Sequence, residues 1–306
     1  MKSSFTVRNL DFVGGTISWR DRLWPAGPEG GGMSSYAPVT ALVRGLDVLH
    51  ALNTLGGDGG VGAIHEMTGI PKPTVVRILE TLIYAGFVSR ISATKSYGLT
   101  AKCMALSNGF DTYDYLLRQA APILDVLRGR LVWPSDLAVF DSNAMVIIET
   151  SRRIGTLSFN RTVGSRVPVM ATAIGRCFLA FADSDTRRRI LADLAVSDNP
   201  YDALARTPDQ ANKLLDTIRE RGFATSDQEY MSSTRAIAFP IFFNGQVLAT
   251  VNVFVIADAM GLDQLIDRYS PILRGAVDEI ENALAGAKSG ITVPTADGGA
   301  AMGISH

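Results

Sequence analysis

Apolar residues become regular near Tyr36. Leu42, Val43, Leu46, Leu49 and Leu52 recur at three- and four-residue steps, which predicts one buried face on a helix, and GGDGG (56–60) ends it. A short helix over 61–67 and the turn Thr68-Gly69-Ile70 lead into a longer helix reaching about Ala85. Val75, Leu79, Leu82 and Ile83 form the buried stripe of that helix, and Gly86 suits the C′ position beyond it. FVSRI (87–91) and SYGL (96–99) read as two short strands joined by the loop SATK (92–95). Thr100 is placed to cap a further, linking helix through Phe110.

From Tyr115 onward, helical and strand periods mix. A helix is expected over 115–131, and LAVF (137–140) and AMVIIET (144–150) form a hairpin around Asp141-Ser142-Asn143. Helices follow over 172–181, 185–194 and 208–221. RAIAFPIFF (235–243) and QVLATVNVFVI (246–256) flank Asn244-Gly245, the strongest hairpin signal in the chain. Along the second of these strands Val247, Ala249, Val251, Val253 and Val255 share a face that should pack on helices. Leu248, Thr250, Asn252, Phe254 and Ile256 share the other. Leu262, Ile266, Tyr269, Leu273, Val277, Ile280 and Leu284 mark a long last helix that Pro271 is placed to bend.

The ends lack such periods. WPAGPEGGGMSS (24–35) breaks any regular element. GPEGGG before Met33 is encodable by purine-rich codons of the ribosome-binding kind, so Met33 is expected to be the native start. The pattern predicts an α+β chain: a disordered arm (1–35), a winged helix-turn-helix (36–99), a linker helix (100–114), an α/β domain (115–287) and a disordered tail (288–306). No internal repeat is visible.

Composition narrows the function. A chain of 306 residues, 47% hydrophobic, suits two domains with real cores. With 29 Lys and Arg against 30 Asp and Glu, any nucleic-acid site must be a local patch. Cys103 and Cys177 form no CxxC, and His50, His65 and His306 are scattered, which points to a reduced, cytoplasmic protein without zinc or other cofactor. No 18-residue apolar run and no leading apolar h-region occur, so no membrane association is expected. GxSxG, P-loop, HExxH and dinucleotide fingerprints are missing. GDGGVG (57–62) follows no strand and reads as a turn between helices. Asp183, Asp227 and Glu229 have no histidine partner, because His50 and His65 fall in the other domain. These features predict no enzyme. A small-molecule-binding α/β enzyme, or an adaptor using the winged helix for protein contacts, is the alternative.

The stretch TGIPKPTVVRILETLIYAGFVSR (68–90) carries the chemistry of the first domain. A helix that reads DNA needs a rigid start whose first turn meets the base edges. Pro73, taken as the first helical residue, and Pro71 before it supply that. Lys72, Thr74 and Arg77 occupy the outward side. Arg77 can fork onto guanine or grip a phosphate, and Thr74 can donate to a phosphate. Free N–H groups at the helix start favour phosphate too. Arg90 and Lys95, assigned to the wing loop, reach toward the neighbouring backbone. The plain alternative is a packing module with solvated cations.

Several residues of this stretch and beyond it resemble a known family. VRGLDVLHAL (43–52), the TGIPKPTVVRILETLIYAGFV block and SYGLTAK (96–102) are similar to the winged helix of the IclR family of bacterial transcription regulators. VPVMATAIGRCFLAF (167–181), RGFATSDQEY (221–230) and RAIAFPIFFNGQVLATVNVF (235–254) resemble that family's effector-binding domain. More narrowly, LVWPSDLAV (131–139), LSFNRTVGSRVP (157–168) and SDQEY look like the subgroup controlling 3-(hydroxyphenyl)propionate breakdown. The resemblance implies a GAF-like effector domain, a homodimer or homotetramer, a double-stranded inverted-repeat operator, and RNA polymerase as a partner if the protein activates. It implies a small carboxylate or aromatic effector. Ligand contacts carried across fall on Ala173, Ile174, Ser226, Ala236, Asn252 and Phe254. Members that bind small polar acids carry serines where Asn252 and Phe254 stand, so the departure argues against a tiny polar effector; a small aromatic carboxylate of the hydroxyphenylpropionate kind is the expected ligand.

The residues speak to this pocket independently. Asn252 is the one strongly polar residue in a strand that should be buried, and an unmet amide there costs ~1–3 kcal/mol. Its partner is either a ligand or a neighbouring loop. Thr172, Ala173 and Gly175 are small residues at a helix start, suited either to a carboxylate approaching free backbone donors or to close packing on the sheet. Phe254, Trp133, Phe159 and Phe239 are candidates to wall an aromatic ring, or plain core. Arg161, Arg166 and Arg235 are candidates for the acid group, or surface cations.

Overall fold

The computed structural model describes residues 38–106, 113–151 and 162–286. The N-terminal arm with Met33, the tail, Phe159 and Arg161 lie outside the described residues.

The first unit is α1 (Thr40–Thr54), β1 (Asp58–Gly59), α2 (Val61–Thr68), α3 (Lys72–Tyr84), β2 (Val88–Ile91) and β3 (Ser96–Leu99). Val48, Ala51, Leu52, Ile64, Ile70, Val75, Leu79 and Val88 form its core. Each fully buried aliphatic side chain contributes ~1.5–3 kcal/mol. The α1 stripe is buried only in its C-terminal half. Leu42 is 63% exposed and Leu46 56%, contrary to the single buried face that their spacing suggested. The glycine stretch differs too. Asp58 and Gly59 pair with Gly98 and Tyr97, so they add a third strand to the wing rather than a bare turn. Gly86 (φ 80) ends α3, with its N–H donating to Ile83 O and the Phe87 N–H to Leu82 O, which is a Schellman cap.

The linking segment begins as a 3₁₀ helix, Ala101–Leu106, instead of the expected α-helix. Residues 107–112 lie outside the described residues. The tight winding has a local cause. The Thr100 hydroxyl donates to Gly86 O at 2.7 Å, Lys102 Nζ donates to Ala85 O at 2.8 Å, and Cys103 Sγ contacts Phe87 O at 3.4 Å. The segment is therefore fastened to the end of α3.

The second unit comprises α4 (Asp114–Arg130), β4 (Ser135–Asp141), β5 (Ala144–Thr150), β6 (Arg166–Pro168), α5 (Ala173–Phe181), α6 (Ser184–Ala195), a 3₁₀ turn (Pro200–Arg206), α7 (Pro208–Arg221), β7 (Ala224–Asp227), β8 (Thr234–Phe243), β9 (Gln246–Ile256) and α8 (Leu262–Gly286). The antiparallel sheet runs β6-β5-β4-β9-β8-β7. One face packs on α4 and α8 through Leu137, Val139, Ile237, Phe239, Val251 and Val253. The other packs on α5, α6 and α7 through Ala138, Met145, Ile147, Ala236, Ala238 and Phe254. Both faces are covered, which is why β8 and β9 are apolar nearly throughout.

A bulge changes the parity of β9. Ile241 pairs with Ala249 and Phe242 with Val247, so Leu248 is the extra residue. Ala249, Val251, Val253 and Val255 face α8 as the alternation required. Val247 lies on the other side, with the α5 core, and Leu248 joins the α8 core.

Candidate nucleic-acid interface and candidate effector cleft

The turn before α3 is locally determined. Gly69 adopts φ 69, and its N–H donates to His65 O at 2.8 Å. The Thr68 hydroxyl donates to Ile64 O and accepts from the Ile70 N–H. His65 Nδ1 lies 2.8 Å from Ile70 O. Pro71 is the N-cap, so Lys72 is the first helical residue and Pro73 the second, one place later than the spacing suggested.

Backbone donors at this helix start are scarce. Pro71 and Pro73 have no N–H, and the Thr74 and Val75 N–H groups donate to Pro71 O. Only the Lys72 N–H of the first turn remains for an anion, so side chains must carry most recognition. Lys72, Pro73, Val76, Arg77, Glu80 and Tyr84 are exposed, and Thr74 is half-buried. Val76 and Tyr84 were not singled out in the sequence, although their spacing with Pro73, Arg77 and Glu80 marks one helix face.

The wing differs in detail. Arg90 sits on β2, not in the loop, and pairs with Glu80 of α3 while lying 6.0 Å from the Tyr97 ring. The hydrogen bond to Glu80 raises its pKa. Lys95 is exposed at the wing turn with φ 52.

In the second unit a cleft open to solvent lies between the N-terminus of α5, the connection 228–231 and the cleft-side residues of β7, β8 and β9. Ala173, Ile174, Ser226, Ala236, Asn252 and Phe254 all line it. The pairing explains this convergence. Ser226, Ala236 and Phe254 form one cross-strand row, and Asn252 lies one row away opposite Ala238. Thr172 caps α5 by accepting from the Gly175 N–H at 3.2 Å and donates to Pro168 O at 2.7 Å. Ala173 and Ile174 N–H have no acceptor among the described residues and lie at the positive end of the helix dipole.

Asn252 serves the sheet and the cleft together. Its Oδ1 accepts from the Asp136 N–H at 2.8 Å, which satisfies half the amide. Its Nδ2 has no acceptor among the described residues. Asp136 is itself buried on the same side of the sheet, accepting from the Thr150 hydroxyl at 2.7 Å.

Gly175 does not line the cleft. A Cβ there would stand 2.3 Å from Val169 O, so its smallness serves close packing of α5 on the backbone. Trp133 and Phe239 pack on the α8 face, away from the cleft, and Phe239 stacks on Phe223 at 5.5 Å. Arg166 is buried against Asp141 and Asn143, and Arg235 pairs with Asp227 at 2.7 Å, so neither cation faces the cleft. Gln228, Tyr230, Met231 and Thr234 complete the lining without having been singled out, though three of them fall in or beside SDQEY. Glu229 lines it too, held by Arg176 of α5 at 2.6 Å. Arg176 also donates to Met170 O and Thr225 O, tying α5 to β7 and the connection above the cleft.

Among the described residues there is no cluster able to hold a metal ion, and no helix is long and apolar enough to cross a membrane. Residues 41–92 match the IclR helix-turn-helix domain, and residues 114–282 match the bacterial transcriptional regulator IclR C-terminal domain. The Pca regulon regulatory protein of Pseudomonas putida is 30% identical over 252 residues, covering 81% of this chain and 85% of its own. The p-hydroxybenzoate hydroxylase transcriptional activator of Acinetobacter baylyi is 23% identical, covering 80% and 91%. An IclR homologue from Microbacterium hydrocarbonoxydans, solved with 4-hydroxybenzoate, shares the fold at TM-score 0.58 and 21% identity, covering 81% of this chain and all of its own. An exposed helix after a glycine-capped turn, a wing and a covered α/β sheet are thus the parts of a known architecture: the chain belongs to the IclR family of DNA-binding transcriptional regulators.

Proposed function

We propose that this chain is a cytoplasmic regulator of aromatic-acid catabolism, sensing a small aromatic carboxylate. One observation carries the reading. The unspent Ala173 and Ile174 N–H groups face the same cleft as the Phe254 ring and the free half of the Asn252 amide. A carboxylate suits the helix end, a ring suits Phe254, and a ring substituent with an accepting oxygen suits Asn252 Nδ2. The name of the Acinetobacter baylyi relative, a p-hydroxybenzoate hydroxylase transcriptional activator, supports the aromatic assignment. On this reading Lys72, Pro73, Thr74, Arg77 and Lys95 meet DNA, and Arg90 orders the wing through Glu80.

The unit 36–99 reads an inverted-repeat operator in a homodimer or homotetramer, with half-sites roughly 10 bp or a multiple apart. As an activator the protein would also contact RNA polymerase. Effector binding shifts the readers only through different affinities for two arrangements of the assembly. The segment 100–114 is the route, since Thr100, Lys102 and Cys103 hold the end of α3.

Thermal shift of the full chain tests the sensor. 4-Hydroxybenzoate or 3-(4-hydroxyphenyl)propionate at about 100 times Kd should stabilise the second unit by about 2.7 kcal/mol. Stabilisation by pyruvate or glyoxylate alone overturns the aromatic reading.

A further inference from the structure

Much of the outward side of α3 is already spent or apolar. Pro71 and Pro73 lack an N–H, and the Thr74 and Val75 N–H groups donate to Pro71 O. The Thr81 hydroxyl donates to Arg77 O, and Glu80 is held by Arg90 of β2. Pro73 and Val76 are exposed and lie three residues apart, so they share one patch, with Glu80 one turn further on. Val76 is 37% exposed, whereas Val75 and Leu79 beside it are fully buried in the core of the unit. Core packing therefore does not account for a valine at this position. Helix propensity does not account for it either, since a β-branched residue is a poorer helix former than alanine, lysine or glutamate. On the major-groove edge of DNA the apolar match for such a side chain is the C5-methyl group of thymine.

From this patch we infer that Val76 is a specificity-determining residue that reads a thymine through its C5-methyl group, once in each half-site. The inference rests on α3 being the DNA reader and adds a base to that reading. Lys72, Thr74 and Arg77 supply charge and hydrogen bonds, and Val76 supplies an apolar contact that carries no charge. Uracil keeps every hydrogen-bonding group of thymine and lacks only the methyl, so exchanging the two bases removes this contact alone. Loss of one buried methyl weakens binding about fourfold, and about 16-fold when both half-sites are changed.

Fluorescence anisotropy of the full chain, on a duplex that the wild type selects from a random pool, tests this. Each thymine is replaced by uracil together with its symmetry mate. At one thymine the wild type should lose about 16-fold and Val76→Ala less than threefold. On the thymine duplex Val76→Ala should bind more weakly than wild type by a comparable factor. Its salt slope should match wild type and its Tm should not fall, because the substitution removes no charge and no core contact. If no exchange weakens the wild type beyond about threefold, the inference is overturned while α3 stays the reader. A loss that persists undiminished in Val76→Ala also overturns it, since the methyl would then act through duplex shape or another residue. A wild-type chain that selects no duplex overturns the DNA reading, and the methyl contact with it.

Discussion

Replacing Gly175 with alanine tests how the second unit holds α5 against its sheet. Alanine is the better helix former, by at most about 1 kcal/mol. The structure predicts the opposite sign here. The added Cβ would lie 2.3 Å from Val169 O and 2.4 Å from Val169 Cα, where ordinary contact is about 3.5 Å. Both neighbours are backbone, and Val169 is fully buried, so no side-chain rotation relieves the overlap. Either α5 or the Val169 segment must move by about 1 Å. A backbone-on-backbone overlap this deep belongs at the upper end of overpacking costs, about 2–3 kcal/mol, leaving a net loss of about 1–2 kcal/mol after a propensity gain of up to about 1 kcal/mol. In a domain of this size that lowers Tm by about 2–8 °C. The same movement displaces the Ala173 and Ile174 N–H groups, so affinity for 4-hydroxybenzoate should fall about tenfold. Thermal denaturation followed by circular dichroism and calorimetric titration read the two effects. An unchanged or raised Tm would refute the close-approach argument.

Two further outcomes follow from local geometry. Asp183 caps α6 by accepting from the Asp185 and Thr186 N–H groups, and chiefly the Thr186 N–H holds its carboxyl below the usual carboxylate range. Its stabilisation is present above the unfolded value of about 4 and is lost as pH falls through the lower folded value. At pH 7, Asp183→Ala should cost about 1 kcal/mol in denaturant titration, the cost fading with acid, and Asp183→Asn should cost little. Lys102→Met removes the donor to Ala85 O and the ammonium 4.8 Å above the Phe87 ring. Effector affinity by calorimetry should stay the same, while the change in DNA affinity on adding effector shrinks at least threefold. Unaltered coupling rejects the fastening of α3 to the linking segment as the signal route.

Local signals made much of this legible. Asn244-Gly245 gave its hairpin because both residues need positive φ, and they adopt 51° and 78°. Gly69 and Gly86 marked the ends of α2 and α3 for the same reason. Alternation also located the cleft side of the sheet, and it should have excluded Phe239. If Ala236 faces the cleft, a residue three places on faces the other way. The Leu248 bulge escaped because Val247, Leu248 and Ala249 are all apolar, so a parity change leaves no mark in composition. β1, β6 and β7 are two to four residues long, too short for a period, and are fixed by partners far along the chain. Arg176 reads as one cation in an apolar helix. Its role depends on Glu229, 53 residues away, and only the folded arrangement brings them together.

The central claim is that the exposed start of α3 reads DNA. Its most direct measurement compares wild type with the Lys72→Ala/Arg77→Ala double variant, by fluorescence anisotropy on a duplex selected by wild type from a random pool, over a salt series. Both side chains are exposed, so Tm should not change. Affinity should fall at least about 30-fold, and the salt dependence should become shallower. A double variant that binds as tightly as wild type, with the same salt slope, would contradict the account.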